Sequence, residues 1–355
     1  MRKTLYLLLA LIILFTANDS FGQMNRKSIK RNNKRISSYR GKKNHFTPAN
    51  RYNSIGISLN ALNYYGDLSP KKGIVSTDIS FTRPAIGISF AHRFGPRYTL
   101  TGTFMYGTLK GSDAKSADAS DTENGIFRSR RNLSFRNRIK ELSVVASFDL
   151  FENQATYISR VKWTPYVFLG VAGFLHNPQA QIPKFGVDGV TALPGAGDWV
   201  NLRDYGTEGQ NATLLPTDVN YGIKEYKLLQ IAIPGGIGAR FRINEVLDFS
   251  AEFGFRYTFT DYLDDVSKNY VDLGVFNGDK VAEALSYRTN ELGTLTNPNP
   301  YTLRNSSTQY VVESGYGSES KDNLRGQYKN RDLYMVTTFK VTYIIGKTFH
   351  RAKFR

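Results

Sequence analysis

From residue 52 onward the chain repeats one pattern, in which apolar and polar side chains alternate along a stretch and a polar break follows. A period of two places successive side chains on opposite faces of a β-strand. No window of comparable length shows the apolar stripe of a helix. The pattern predicts eight strands, at about 52–65, 83–94, 98–111, 138–151, 163–177, 226–243, 246–260 and 332–345.

The connections between these stretches alternate between long and short. The short ones lie at 95–97, 152–162 and 244–245, and the long ones at about 66–82, 112–137, 178–225 and 261–331. Short turns at one rim and long loops at the other are typical of barrels in bacterial outer membranes. The sequence therefore predicts an all-β fold: an eight-stranded antiparallel up-and-down transmembrane barrel over 52–346, with four long extracellular loops and short periplasmic turns. An even strand number places both termini in the periplasm.

The two faces of each stretch differ in polarity. In the fourth stretch Leu142 and Val144 share one face, while Glu141 and Ser143 share the other. In a membrane barrel the apolar row faces lipid, whereas in a soluble barrel it lines the core. The length and aromatic content of the apolar rows favour the membrane. We expect an interfacial girdle from the aromatic residues near strand ends: Tyr52, Tyr98, Trp163, Tyr166, Tyr257, Tyr262 and Tyr334.

The opposite faces carry charges that should point inward. An eight-stranded barrel has an interior only wide enough for side chains. We therefore predict that these charges form internal ion pairs that fill the barrel and do not line a pore. The predicted interior residues are Glu141, Asp149, Arg240, Glu252, Arg256 and Lys340.

The N-terminus has the features of a secretory signal. A short basic segment precedes an apolar run from Leu5 to Thr16, which is too short to span a bilayer comfortably, and small residues at 20 and 22 suit cleavage after Gly22. The sequence predicts a signal peptide over 1–22, with an N-terminal anchor helix as the alternative. Export would place the mature protein in the cell envelope.

Most of the net charge of +17 lies near the N-terminus. Residues 23–51 contain ten Lys and Arg and no acidic residue, and without the first 51 residues the net charge falls to +6. The segment lacks apolar periodicity, so we interpret it as a disordered periplasmic tether for an acidic partner, or as a solvated linker without one. Export makes nucleic acid a poor partner. The candidate contact residues are Arg26, Lys27, Lys30, Arg31, Lys34, Arg35, Lys42 and Lys43, and a basic tail over 347–355 follows the barrel.

Signals for catalysis or cofactor binding are weak. The chain has no Cys, which excludes disulfides and thiolate sites, and its four His lie far apart without metal-ligand spacing. No nucleotide-binding or hydrolase motif stands in a suitable context, so we predict no cofactor, no small-molecule substrate and no enzyme activity. The densest acidic cluster, Asp261, Asp264 and Asp265, could bind Ca²⁺ through carboxylate oxygens, but loop-capping hydrogen bonds explain it more simply.

Six strings, in order and at matching strand positions, resemble the PorG-like outer-membrane proteins of Bacteroidetes. They are YYGDLSP (64–70), RPAIG (83–87), RNLSFR (131–136), TPYVFLG (164–170), GTEGQ (Gly206, Thr207, Glu208, Gly209 and Gln210) and TDYLDDVS (260–267). The resemblance covers about 52–346. It implies an outer-membrane barrel of the type IX secretion system, which also serves gliding motility, in contact with a periplasmic ring of PorK/PorN-like proteins. It implies no catalytic residue. The basic segment 26–51 and the large insertion near 271–330 depart from the pattern.

Two functions from different classes remain open at this point. The first is a non-enzymatic secretion component that is anchored in outer-membrane lipid and contacts the periplasmic ring. The alternative is a small structural or adhesive barrel that acts through its external loops. A membrane-embedded enzyme would require a polar triad at the outer rim, and His92 and His176 lie on separate strands without an evident partner.

Overall fold

A computed structural model describes residues 46, 48–68, 81–122, 125–304, 306–327 and 331–346. The predicted signal peptide, the basic residues from Arg26 to Lys43 and the tail over 347–355 lie outside the described residues.

Eight long strands form the barrel. They are β1 (Tyr52–Tyr65), β2 (Arg83–Arg93), β3 (Tyr98–Ser112), β4 (Ser134–Asp149), β5 (Trp163–Leu175), β8 (Leu229–Arg242), β9 (Leu247–Thr258) and β12 (Leu333–Ile345). The shorter strands of the long connections are β6 (Pro178–Gln181), β7 (Trp199–Asn201), β10 (Pro298–Thr302) and β11 (Gln309–Glu313).

Antiparallel pairing closes the sheet on itself. Neighbouring barrel strands pair in the order β3, β2, β1, β12, β9, β8, β5, β4, and β4 pairs again with β3. The first and last strands pair from Asn53 opposite Ile345 to Tyr65 opposite Leu333. This pairing confirms the predicted eight-stranded antiparallel up-and-down barrel. Both ends of the barrel sequence therefore lie at the rim of the short turns.

The predicted strand ranges agree with the structure to within a few residues, except at the start of β4. That strand begins at Ser134, four residues before the predicted start at 138. Here the alternation is inverted, because Phe135 and Ile139 are buried inside while Arg138 is exposed outside. The prediction assumed that the apolar residues of each strand face outward, so it did not include this segment, where they face inward.

The long connections contain short helices that the sequence did not predict. These are α1 (Asp113–Ser116), α2 (Gly125–Arg131), α3 (Leu202–Tyr205) and α4 (Lys280–Ser286), with 3₁₀ turns at Leu273–Phe276 and Thr289–Leu292. Two further 3₁₀ turns lie outside the long connections, at Pro48–Asn50 before β1 and at Tyr157–Ser159 between β4 and β5. Each is at most two turns long, so a period of 3.6 residues cannot be recognised in it. Strands β10 and β11 form a separate hairpin.

The described residues of the four long connections pack together, and we call them the loop cap. Its main apolar cluster consists of Val187, Tyr270, Leu273, Tyr287, Leu303, Tyr310, Val312 and Tyr316. Residues from the third and fourth long connections thus share one core. A loop with its own buried core holds a fixed conformation, unlike an unstructured connection.

The outer wall of the barrel is apolar over its middle. Ile57 is 67% exposed, Leu169 63% and Leu142 63%, whereas their sequence neighbours Ser58, Phe168 and Glu141 are buried on the inner side. We call this ring of outward aliphatic and aromatic side chains the apolar belt. Among the residues that the structure describes, no helix is long and apolar enough to cross a membrane.

The aromatic girdle was predicted correctly only in part. Tyr98, Trp163 and Tyr257 are exposed on the outer wall near strand ends. Tyr166 and Tyr334 instead point inward, because they occupy positions of the other parity. The Tyr166 ring lies over Gly238, where an added Cβ would lie 2.6 Å from it.

The other two predicted girdle residues also lie elsewhere. Tyr52 shares the parity of the inward residue Ser54 and packs edge-on against Tyr157. Tyr262 lies in the loop cap and stacks on Tyr226 with 4.8 Å between ring centroids.

Candidate functional site

The six predicted interior residues meet inside the barrel as three ion pairs. Asp149 lies 3.1 Å from Arg240 and Glu141 lies 3.3 Å from Arg256. Lys340 contacts Glu252 at 2.5 Å. The partners of each pair come from different strands: Lys340 and Glu252 lie on the neighbouring strands β12 and β9, whereas Glu141 and Arg256 connect β4 with β9 across the interior.

Two inward tyrosines complete these pairs. Tyr166 donates a hydrogen bond of 2.7 Å to Glu252, and Tyr334 donates one of 2.6 Å to Glu141. The cavity between them has a volume of about 40 Å³ for the centres of water molecules. That space admits a few waters, since about 10–15 Å³ by this measure holds one.

Buried arginines close the rim of the short turns. Arg93 adds a second cation to Asp149 at 2.6 Å, and Arg160 pairs with Asp248 at the same distance. Arg160 also donates to the backbone carbonyls of four neighbouring residues: Tyr157, Asn244, Glu245 and Leu247. Sequence reasoning missed Arg160 because it lies in a connection, where no alternation assigns an inward direction.

The strings GTEGQ and TDYLDDVS bind each other at the end of the barrel that carries the long connections, which we call the outer mouth. Thr207 donates to Asp265, and Glu208 accepts hydrogen bonds from the backbone amides of Ser267 (2.8 Å) and Lys268 (3.0 Å). Gly206 and Gly209 both have positive φ (56° and 88°), which lets the chain reverse tightly there. Gln210 accepts a bond from the Glu208 amide through its side chain. We call this arrangement the loop clasp.

Arg325 lies at the centre of the loop clasp and is only 1% exposed. Its guanidinium contacts Glu208 at 3.2 Å and Asp265 at 3.7 Å. Arg131 then donates to the backbone carbonyls of Arg325 (2.7 Å) and Asp67 (2.9 Å) while it pairs with Asp113. Four of the six family-like strings, those that contain Asp67, Arg131, Glu208 and Asp265, therefore meet in one buried network.

Tyr64 joins two carboxyl groups beneath the loop clasp. Its hydroxyl lies 2.7 Å from Asp264 and 2.7 Å from Asp332, and all three side chains are buried. A phenol carries one hydrogen, so it donates to one carboxylate and accepts from the other. The second carboxyl must therefore hold a proton. Burial raises the pKa of both Asp264 and Asp332 well above the usual range, which agrees with a shared proton.

The three acidic residues considered for Ca²⁺ have different partners. Asp261 accepts a hydrogen bond from Ser267 at 2.7 Å, Asp264 is hydrogen-bonded to Tyr64, and Asp265 accepts from Tyr226 at 2.8 Å. Within the described part of the chain, no group of three or more such side chains is placed to hold a metal ion. The carboxylates instead bond the loops together.

Burial also shifts the acidity of the neighbouring carboxyls. It raises the pKa of Asp261 to about 8 and that of Asp265 to about 6. For Asp265 the Arg325 guanidinium partly offsets this effect. Burial likewise raises the pKa of Glu208, against the attraction of Arg325. The outer mouth thus concentrates carboxyls that titrate above their ordinary range.

Part of the chain is similar to a known protein family. Residues 44–184 match the family model described as a domain of unknown function, DUF6089. No curated protein matches the chain.

Three solved structures illustrate the structural likeness. Neisserial surface protein A has a TM-score of 0.31 at 8% identity, covering 82% of this chain and 96% of its own. OprG from Pseudomonas aeruginosa has a TM-score of 0.32 at 8% identity, and the match covers 83% of this chain and 97% of OprG. Ail of Yersinia pestis has 0.30 at 6%, with the same coverage as OprG. Because these TM-scores are low, the barrel assignment rests on the strand pairing of this chain.

Removing the central guanidinium should loosen the loop clasp. In the Arg325→Gln variant, Glu208 and Asp265 lose their buried cation, and breaking a buried pair costs roughly 3–5 kcal/mol. We expect the loop cap to unfold at a lower temperature than in the parent. The measurement is a thermal melt that records the fluorescence of Trp199, in a background where Trp163→Phe removes the other tryptophan. The exposed Lys321→Gln serves as the control, and an equal melting temperature for Arg325→Gln would contradict the role of the clasp.

The shared proton predicts a pH dependence of the loop cap. The pKa values of Asp264 and Asp332 are higher in the folded state than in the unfolded chain. Their contribution to the stability of the loop cap is therefore fully present below the ordinary pKa of a carboxyl, near pH 4, and is lost as the pH rises through the pKa values of the folded state. Asp265 and Asp261, with pKa values of about 6 and about 8, extend this loss across pH 4 to 8.

The Asp264→Asn variant should reduce this dependence. An amide keeps the bond to Tyr64 and still accepts from the backbone amide of Val266, but it does not ionise. We expect thermal melts of the Trp199 signal at pH 5 and pH 8.5 to differ less in this variant than in the parent. The exposed Asp322→Asn is the matched control. A pH dependence identical to that of the parent would show that Asp264 does not hold the proton.

Proposed function

We propose that this protein is a non-enzymatic outer-membrane barrel that is closed to solutes and serves as an anchor. The observation that carries the proposal is the apolar belt, in which side chains such as Leu169 and Ile57 are more than 60% exposed while charged residues are paired inside. Exposed apolar rows of this extent are unfavourable in water and favourable against acyl chains. The short-turn rim, with both ends of the barrel sequence, then faces the periplasm.

An arginine in the apolar belt tests this placement. Leu169 lies in the middle of β5, opposite Ala146 and Gly235, and Leu169→Arg should destabilise the inserted barrel by about 2–4 kcal/mol. The measurement is urea unfolding in lipid vesicles, read by the mobility of folded and unfolded forms on gels. Val190→Arg, at an 80% exposed position of the loop cap, is the control. Equal stability of both variants would indicate that the wall faces water.

We further propose that the anchored barrel is a component of a type IX secretion machine, which also serves gliding motility. The support is the sequence resemblance together with the loop clasp, because GTEGQ and TDYLDDVS, which are fairly specific as a pair, bond directly to each other. In this proposal the periplasmic rim and the basic segment 23–51 contact PorK/PorN-like ring proteins. A cationic arm raises the encounter rate with an acidic surface.

A second candidate function is favoured by the order of the loop cap. A barrel that served only as an anchor would not need an external structure with its own core of tyrosines. The cap could instead present a fixed binding surface outside the cell, as in the structural or adhesive alternative. The two candidates place the functional surface on opposite sides of the membrane.

One experiment separates the two candidates. We expect deletion of Arg26–Lys43 to leave the barrel inserted but to reduce co-purification of the ring proteins and secretion. A second variant keeps the length of this segment but replaces its Lys and Arg by Gln. It shows whether the charge or the length of the segment matters. In parallel, residues 294–314 between Gly293 and Gly315 are replaced by a short turn. Unchanged co-purification without the arm would refute the tether, and loss of function only without the hairpin would favour the external surface.

A further inference from the structure

The outer wall changes from apolar to basic at the ends of β3 and β4 that lie nearest the long loops. Lys110, Arg136, Arg138 and Lys140 all have the outward parity of Phe104 and Leu142. We call these four residues the basic patch. It lies on the outside of the barrel, so the interior ion pairs do not account for it.

Strand register brings the four cations together. Lys110 is opposite Arg136, Thr108 is opposite Arg138, and Tyr106 is opposite Lys140. Neighbouring strands are about 4.8 Å apart and alternate residues about 7 Å apart, so the four charged groups share one small surface. Like charges so close repel one another unless an anion lies between them.

No acidic side chain compensates the basic patch within the described part of the chain. Arg138 and Lys140 are exposed and form no ion pair or side-chain hydrogen bond with a described residue. Arg83 and Lys115, which act electrostatically on Lys110, are also cationic. This contrasts with the interior, where each predicted charge has a partner of opposite sign.

The outward strand residues elsewhere at the same rim are neutral. They include Tyr65 on β1, Leu175 on β5, Leu229 on β8 and Tyr257 on β9. Single exposed cations lie just beyond two of the other strands, Lys227 before β8 and Arg331 before β12, where the Arg331 guanidinium lies 5.5 Å from the Phe259 ring centre. Among the barrel strands, only β3 and β4 therefore carry charged outward residues within the strand at this rim, and there the four cations lie on paired neighbours.

One member of the patch is already held in position. Arg136 donates to Gln179 at 3.0 Å and stacks on Trp199 with 3.8 Å between its guanidinium carbon and the ring centre. These contacts use Nε and the face of the guanidinium, which leaves both terminal nitrogens for a ligand. A fixed arginine loses less entropy on binding a phosphate than a free one.

The apolar belt begins directly next to the patch. Leu142 follows Lys140 by one step on the same face, and Phe104 lies opposite Leu142. Leu175, opposite Lys140 on the other side, is 47% exposed. A ligand bound here would place an anionic group on the cations and hydrocarbon along the belt, which is the structure of an anionic lipid.

We propose that the basic patch binds the phosphorylated head group of an anionic glycolipid in the outer leaflet, with the acyl chains along β3 and β4. The inference rests on the proposed membrane placement, which puts the long-loop rim outside. Arginine and lysine pair with phosphate oxygens through charge-assisted hydrogen bonds, and a site with four cations suits a head group with more than one phosphate. The surface would fix the rotational orientation of the barrel against a bound lipid.

The test uses the full chain in detergent micelles titrated with lipid A, the bis-phosphorylated glycolipid of Gram-negative outer leaflets. Native mass spectrometry counts the bound lipids. Arg138→Gln together with Lys140→Gln should weaken the binding of lipid A roughly tenfold to thirtyfold, because the two substitutions each remove one cation that attracts the anionic head group, with effects of similar size. Neither side chain makes a contact that folding requires. The control pair is Lys184→Gln with Lys321→Gln, two exposed cations of the loop cap.

Two further ligands complete the design. A dephosphorylated form of the same glycolipid should bind weakly to the parent, and inorganic phosphate at millimolar concentration should not displace lipid A. Equal affinity of the parent and the double variant, or of the two glycolipids, would overturn the proposal. Displacement by inorganic phosphate would indicate a site for the free anion and would overturn it as well. Failure of the parent to insert into vesicles would instead count against the membrane placement, which is measured separately.

Discussion

Closure of an eight-stranded sheet is the constraint on which the rest of this structure depends. Once β3 pairs with β4, every second side chain of each strand enters a space that only side chains can fill. A charge at such a position is removed from water and must find a partner of opposite sign. Asp149 thus lies between Arg93 and Arg240, and Tyr166 completes the pair of Glu252 with Lys340. Pairing inside leaves the outer wall to aliphatic residues.

Much of this fold could be predicted because the barrel is a periodic structure. Alternation identified the eight strands and the inward charges on them, including Glu141 and Lys340. The predicted strand β4 began too late because its first residues have apolar side chains inside and arginines outside. Periodicity identifies which positions share a face, but the environment of each face must come from the structure. The same reversal created the basic patch.

The outer mouth could be predicted only in part, because its contacts join residues far apart in the sequence. The strings around Glu208 and Asp265 were noticed, yet nothing in them points to Arg325, which lies 117 positions beyond Glu208. Asp332 is likewise separated from Tyr64 by 268 positions. These residues lie in connections without a repeating pattern, where one buried arginine looks like any surface arginine. Three-dimensional closure of the loops, and not local sequence, assigns their partners.

The two rims of the barrel are closed by different chemistry. At the short-turn rim, the guanidinium of Arg160 binds Asp248 and several backbone carbonyls and so holds the turns together. At the outer mouth, Tyr64 lies between two carboxyls that share a proton, and the loop clasp depends on carboxyls with raised pKa values. The loop cap is therefore the part of the molecule that responds to pH, whereas the rim of the short turns does not depend on carboxyls with raised pKa values. With the interior filled, interactions with other molecules must occur on the outer wall and at the two rims.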